Sequence, residues 1–114
     1  MKRCVHPVVY VSGPVTGFAD GNRPAFEEAA RALRASGCAA RIPHDDVDPG
    51  TPWIPALKLT IMAILAQADG LAMLEGWERS RGASLERQVA LALGMPVMTV
   101  GSWIRREGRE RRTR

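Results

Sequence analysis

Glu86 is the acidic side chain with the most unusual surroundings. Val89 lies three residues ahead of it and Ala90 four, within the run Leu85-Glu86-Arg87-Gln88-Val89-Ala90-Leu91-Ala92-Leu93. An acid that merely decorates a helix surface more usually finds a lysine or arginine at one of those spacings. The apolar neighbours instead put Glu86 at the edge of burial, in the first turn of a helix expected over 84–93. On pattern alone, such an acid complements the helix dipole. Its setting also makes it the first candidate for chemistry. Just before it, Ser80-Arg81-Gly82-Ala83-Ser84 enters the helix with small residues. Their backbone N–H groups could hold an anion, with the Ser80 hydroxyl added, although any tight strand-to-helix turn uses the same residue types.

Other candidates are weaker. Gly13-Pro14-Val15-Thr16-Gly17 has neither the lysine and spacing of a P-loop nor the GxGxxG dinucleotide fingerprint. Its glycines still permit close approach of a ligand to the backbone. His44, Asp45, Asp46 and Asp48 are metal-ligand types, but their crowding between prolines reads as turn chemistry and solvation. No metal and no cofactor is expected. Trp77 follows a strand and either stacks on a base or covers the core. His6 reads as structural. Cys4 and Cys38 form no disulfide framework or metal knuckle and read as small buried thiols.

These residues need elements to position them. Val8-Val9-Tyr10-Val11 is β-branched and aromatic, and Ser12-Gly13-Pro14 ends it, which predicts a buried first strand. Phe26, Ala29, Ala30 and Leu33 then recur at helical spacing, with Glu27, Glu28, Arg31 and Arg34 on the other side. Asn22 is expected to cap that helix, Pro24 to sit in its first turn and Gly37 to end it. A short strand over 38–42, a long acidic loop over 44–55 and a helix over 57–68 follow. A third strand is expected over 71–74 and a fourth over 96–100, either side of the helix that carries Glu86. Strands alternating with helices imply right-handed crossovers and a parallel sheet. The expected fold is therefore a three-layer α/β, flavodoxin- or Rossmann-like sheet of four or five strands with helices on both faces. Ligands of such sheets bind outside the carboxyl ends of the strands. The stretches 12–17 and 75–86 should converge there.

A chain of 114 residues suits one domain, expected over 1–104. The net charge of +4 is local: residues 105–114 hold six arginines and two glutamates, so the rest of the chain sums to zero. That basic stretch reads as a solvated, frayed helical end, able at most to touch phosphates weakly, so nucleic acid is not an expected partner. The most apolar stretch, 59–74, is interrupted by Gln67, Asp69 and Gly70, too short and polar to span a bilayer. No export signal is visible after Met1-Lys2-Arg3, and a cytoplasmic location without membrane contact is expected.

Taken together, Tyr10-Val11-Ser12-Gly13-Pro14-Val15-Thr16-Gly17 resembles the first strand and loop of the nucleoside 2-deoxyribosyltransferase-like superfamily. Ala68-Asp69-Gly70-Leu71 and the run from Leu74 through Trp77, Ser80 and Gly82 to Glu86 resemble the signature that closes its site. The likeness covers about 8–100. It is nearest to small bacterial and phage members, with deoxynucleotide N-hydrolases more distant. The resemblance implies that Glu86 attacks the anomeric carbon of a 2-deoxyribosyl group as nucleophile, the base leaving and water or a second base resolving the glycosyl-enzyme. It implies that Ser80 and the Gly82 backbone hold a 5′-hydroxyl or 5′-phosphate, and that Tyr10 and Gly13 line the sugar and the nucleophile. Ser12 and Trp77 complete the expected substrate-binding set. Assembly as a homo-oligomer is implied as well. Two positions depart from the family pattern: Ile61 stands where an aspartate usually assists the leaving base, and Thr16 where nucleotide-hydrolysing relatives tend to be basic.

The expected function is thus cleavage of an N-glycosidic bond, or 2-deoxyribosyl transfer, on a deoxynucleoside or its 5′-monophosphate. The alternatives are a nucleotide-sensing module that keeps the pocket without the chemistry, and a phage-type accessory interaction protein.

Overall fold

A computed structural model describes residues 6–112; Cys4, Thr113 and Arg114 lie outside the described residues. Four strands, β1 (Val8–Ser12), β2 (Ala39–Arg41), β3 (Gly70–Met73) and β4 (Val97–Thr99), form one parallel sheet in the order β2-β1-β3-β4. Four helices connect or follow them: α1 (Arg23–Ala35), α2 (Trp53–Gln67), α3 (Arg81–Ala92) and α4 (Val100–Arg112). The expected three-layer α/β architecture is present, with four strands.

Side-chain alternation along β1 divides the molecule into its layers. Val9 and Val11 point to one face, where Phe26, Ala29, Ala30 and Leu33 of α1 meet Trp103 of α4. Tyr10 and Ser12 point to the other, where Tyr10 joins Ala63 and Ile64 of α2 and Ala83 and Ala90 of α3. In β3 the same period sends Leu71 and Met73 toward α2 and α3, and Ala72 toward Trp103. All four helix faces are thereby used, as a parallel sheet buried on both sides requires.

Register then locates the site. Val9 pairs with Gly70 and Ser12 with Met73, so β1 and β3 end side by side. The chain leaves β1 for β2 on one flank and returns to β3 on the other, which makes the β1/β3 carboxyl edge the switch point of the sheet. At the opposite edge, the Asp69 carboxylate accepts a hydrogen bond from the Val8 amide at 2.8 Å, tying the strand entries together away from the site.

Several boundaries differ from the sequence reading, each for a local reason. Helix α3 begins at Arg81 rather than at residue 84, because the Ser80 hydroxyl accepts from the Ala83 amide at 3.1 Å and caps the helix three residues earlier. Glu86 consequently lies in the second turn. Helix α2 begins at Trp53, with Pro55 in its first turn, where a missing N–H costs nothing. A short 3-10 turn at Pro43–Asp45 takes up the other end of the expected loop. Asn22 precedes α1 but does not cap it through its side chain; its backbone adopts a left-handed conformation (φ 62°), and its side-chain Nδ2 donates to the Pro14 carbonyl at 2.9 Å.

The boundary expected at 104/105 falls inside α4. Thr99 Oγ1 accepts from the Ser102 amide and starts the helix directly after β4. Trp103, 1 % exposed, seats it against the sheet, with its indole N–H donating to the Leu71 carbonyl at 2.7 Å. The basic stretch continues this helix through Arg112. No helix among the described residues is long and apolar enough to cross a membrane.

Candidate functional site

Ser12 is the last residue of β1 and is completely buried, with its side chain on the α2/α3 face of the sheet. Its hydroxyl donates to Glu86 Oε1 at 2.6 Å. From α2, the Thr60 hydroxyl donates to Glu86 Oε2 at 2.7 Å. Both carboxyl oxygens are therefore held by short hydrogen bonds from two different elements, and the group is 7 % exposed. Burial pushes the Glu86 carboxyl above the usual carboxylate range, while the Ser12 and Thr60 hydroxyls pull it back by stabilising the charged form.

Glu86 and Thr60 open onto a cleft of about 510 Å³, which also takes in Gly13, Thr16, Ser80 and Gly82. That volume falls in the range of small-molecule sites. The stretches following β1 and β3 do meet at the carboxyl edge. A second, wider groove of about 1410 Å³ adjoins it, sharing Thr16, Trp53, Ser80 and Gly82 and extending past Trp77 and Arg81 toward α1.

The other wall of the cleft comes from the connections after β1 and β2, including Asp20, Gly21, His44 and Asp48. Asp20 and Asn22 both hold positive φ, a conformation their side chains tolerate better than most. The His44 ring pins this turn, with Nε2 2.8 Å from the Gly21 carbonyl. Because a carbonyl only accepts, Nε2 carries the hydrogen there, and Nδ1 is buried without a hydrogen-bond partner among the described residues. Phe26 meets the same ring edge-on at 4.8 Å.

The candidate residues occupy distinct places. Tyr10 lies beneath the cleft rather than on its wall: its ring is completely buried and its hydroxyl donates to Asp46 at 3.3 Å. Burial, and then the nearby charges of Asp46 and Glu86, push the phenol far above its ordinary range, so Tyr10 stays neutral. Gly13 faces Leu74, and a Cβ there would lie 2.7 Å from the Leu74 Cβ; close packing of the two chain segments excludes a side chain. Gly82 is under no such constraint, since a Cβ would meet Leu57 and Trp53 at 3.7 and 3.8 Å. Trp77 packs against the α2/α3 core and carries the Arg87 guanidinium 4.7 Å from its ring centre. It lines the wider groove, and one of its two expected roles, covering the core, is the one its packing displays.

Among the acids of the loop after β2, Asp46 is paired with Arg41 at 2.7 Å, and Asp45 accepts from the Ile42 amide at 3.3 Å. Asp48 reaches the cleft, exposed and with no side-chain partner among the described residues. No group of three or more metal-binding side chains gathers among the described residues. Cys38 is buried, 4.0 Å from the Ser36 hydroxyl.

Thr60 was not legible as a site residue. It sits in a helix with a single charged side chain, Lys58, next to the Ile61 that replaces an expected aspartate. The only local signal is a lone hydroxyl among apolar neighbours, and a helical threonine hydroxyl ordinarily bonds its own backbone, as Thr60 also does toward the Leu57 carbonyl at 3.0 Å.

A family model described as "Domain of unknown function (DUF4406)" matches residues 7–99. The chain belongs to that family. The DUF4406 segment runs from just before β1 to the end of β4 and so contains the whole sheet, α1 to α3 and every residue that holds Glu86. Helix α4 lies beyond it. The family description assigns no activity. No curated protein matches the chain.

Proposed function

We propose that this DUF4406 protein cleaves the N-glycosidic bond of a deoxynucleoside or deoxynucleoside 5′-monophosphate, or transfers its 2-deoxyribosyl group, with Glu86 as nucleophile. The observation that carries the reading is a nearly buried carboxylate, fixed at both oxygens by Ser12 and Thr60, at the floor of a cleft on the carboxyl edge of the sheet. A carboxylate held this way loses no orientational freedom on attacking an anomeric carbon. In the ionised state it offsets the positive charge of an oxocarbenium-like transition state. The resemblance of 8–100 to the 2-deoxyribosyltransferase-like superfamily supports the same substrate class. The Ser80 hydroxyl oxygen caps α3, which leaves its O–H hydrogen for a ligand oxygen, in keeping with the role the resemblance implies.

A second reading, a nucleotide-binding module without turnover, is favoured by one observation. Burial biases Glu86 toward its neutral acid, and a neutral acid is a poor nucleophile. Incubation with a panel of deoxynucleosides and their 5′-monophosphates, with free base read by chromatography, separates the two. Base release by wild type and its loss in Glu86→Gln support the enzyme. Base release unchanged in Glu86→Gln removes Glu86 as nucleophile. Saturable binding in calorimetry with no release by either protein supports the module.

The outward face of α2 supports self-association. Ile54, Leu59, Met62 and Leu65 are 41–62 % exposed, on a helix with no acidic residue. A second copy of the chain is the proposed occupant, since an apolar helix with an uncovered face is stable chiefly when another surface buries it. Light scattering of wild type against Met62→Lys tests this. A smaller species for the variant is expected, and a wild-type monomer at all concentrations overturns it.

A further inference from the structure

Thr60 Oγ1 has one hydrogen and two acceptors within reach. Glu86 Oε2 lies at 2.7 Å and the Leu57 carbonyl, one helical turn back, at 3.0 Å. A hydroxyl can donate to only one of them at a time, while its oxygen can also accept. On the other side of the carboxyl, Oε1 is occupied by the Ser12 hydroxyl at 2.6 Å. Oε2 is therefore the oxygen whose hydroxyl donor has a second acceptor to turn to.

Both charge states can be satisfied without moving a heavy atom. With Glu86 ionised, Ser12 donates to Oε1 and Thr60 donates to Oε2. With Glu86 protonated, the Oε2–H donates to Thr60 Oγ1, and the Thr60 hydrogen turns to the Leu57 carbonyl, an acceptor already in place. A buried carboxyl normally destabilises its site in one state or the other, because a donor or acceptor is stranded there. Here neither state strands one.

We propose that Thr60 is a positioning residue whose hydroxyl turns between Leu57 and Glu86, so that the carboxyl takes up and releases a proton in place. The proton comes from and returns to water in the cleft, which both side chains line. No other bond forms or breaks. Once ionised in this way, Glu86 is available as the nucleophile of the proposed function, on which this role rests.

Among the described residues, the groups packed around the pair give it no competing hydrogen-bond partner. From β1, Tyr10 neighbours Glu86 but holds its hydrogen toward Asp46, which is itself bound to Arg41. Across the cleft stand Asp20, Arg23, His44 and Asp48, of which Arg23 is paired with Glu27. In α2 the only charge is Lys58, on the exposed side. In α3, Arg81 and Arg87 are stacked on Trp53 and Trp77 at 4.6 and 4.7 Å.

The test is a 13C NMR titration of glutamate side-chain carboxyls in the full chain, with the Glu86 signal identified by its loss in Glu86→Gln. Thr60→Val and Thr60→Ser are titrated beside wild type. A charge-assisted hydrogen bond is worth more than a neutral one, so Thr60→Val should lower the ionised fraction roughly five-fold at pH values below the midpoint. Thr60→Ser, which keeps the hydroxyl, should titrate as wild type. An unchanged midpoint in Thr60→Val, or an equal displacement in Thr60→Ser, overturns the proposal. Should Thr60→Val not fold, Thr60→Ala removes the same hydroxyl with less crowding and carries the same two outcomes. None of these readings depends on turnover, so the proposal can fail while the proposed function stands, or the reverse.

Discussion

The Ser12 hydroxyl reaches Glu86 Oε1 at 2.6 Å across 74 residues of chain, joining the end of the first strand to the second turn of the third helix. This bond locks the carboxyl to the sheet edge, so its loss should be felt by both stability and chemistry. Ser12→Ala removes the donor without adding volume and leaves a buried carboxylate oxygen unpaired. Urea unfolding at neutral pH should show a loss of about 2 kcal/mol. The Glu86 titration midpoint should also rise. A variant as stable as wild type would mean that the site has relaxed to another donor.

Glu86→Gln should change how stability depends on pH. The folded-state value of Glu86 is raised above its ordinary 4.5, so the folded protein binds this proton more tightly than the unfolded chain. The stability that comes with the bound proton is fully present below about 4.5 and is lost as pH rises through the folded value. Glutamine cannot ionise and lacks this loss. Relative to its own value at low pH, the variant should therefore gain on wild type as pH increases. Thermal unfolding of both proteins across pH checks it, and parallel curves would show that Glu86 titrates alike in both states.

Gly70→Ala should destabilise the fold without touching the cleft. A Cβ at Gly70 would lie 2.5 Å from the Trp103 ring and 2.7 Å from the Pro96 carbonyl, and neither has room to retreat in a core side chain 1 % exposed. Overpacking of this kind costs about 1–3 kcal/mol, a Tm lower by roughly 5–15 °C. Calorimetry reads the Tm, and ligand affinity at low temperature should stay as in wild type.

Tyr10→Phe should leave the cleft nearly intact. The hydroxyl faces Asp46 rather than the opening, its bond is long at 3.3 Å, and Asp46 keeps its pairing with Arg41. The expected loss is about 1 kcal/mol of stability, with binding of deoxynucleosides unchanged by calorimetry. A large loss of affinity would place the phenol in contact with ligand.

Much of the fold was legible because it rests on local patterns. Val9 and Val11 alternating with Tyr10 and Ser12 marked a strand buried on both faces. The buried stripe of α1, Phe26, Ala29, Ala30 and Leu33, is the one its spacing marked. Element ends were less legible where one side chain decides them. Ser80 could begin a helix or close a turn, and only its bond to the Ala83 amide shows which. The basic stretch looked detached from the domain because charge hides anchoring, yet Val100, Trp103 and Ile104 seat the same helix on the sheet.

The sequence by itself determined the alternation of strands and helices, the two stretches that meet at the sheet edge, and Glu86 as the acid without a local counter-charge. Each follows from spacing within one element, which the backbone period converts directly into a face. Only the tertiary structure decided what holds that carboxyl. Ser12 and Thr60 lie 74 and 26 residues away in the chain, on a strand and a helix whose contact with α3 depends on the order β2-β1-β3-β4. A hydroxyl's partner is set by distances of a few tenths of an ångström between elements, and no period along the chain encodes them.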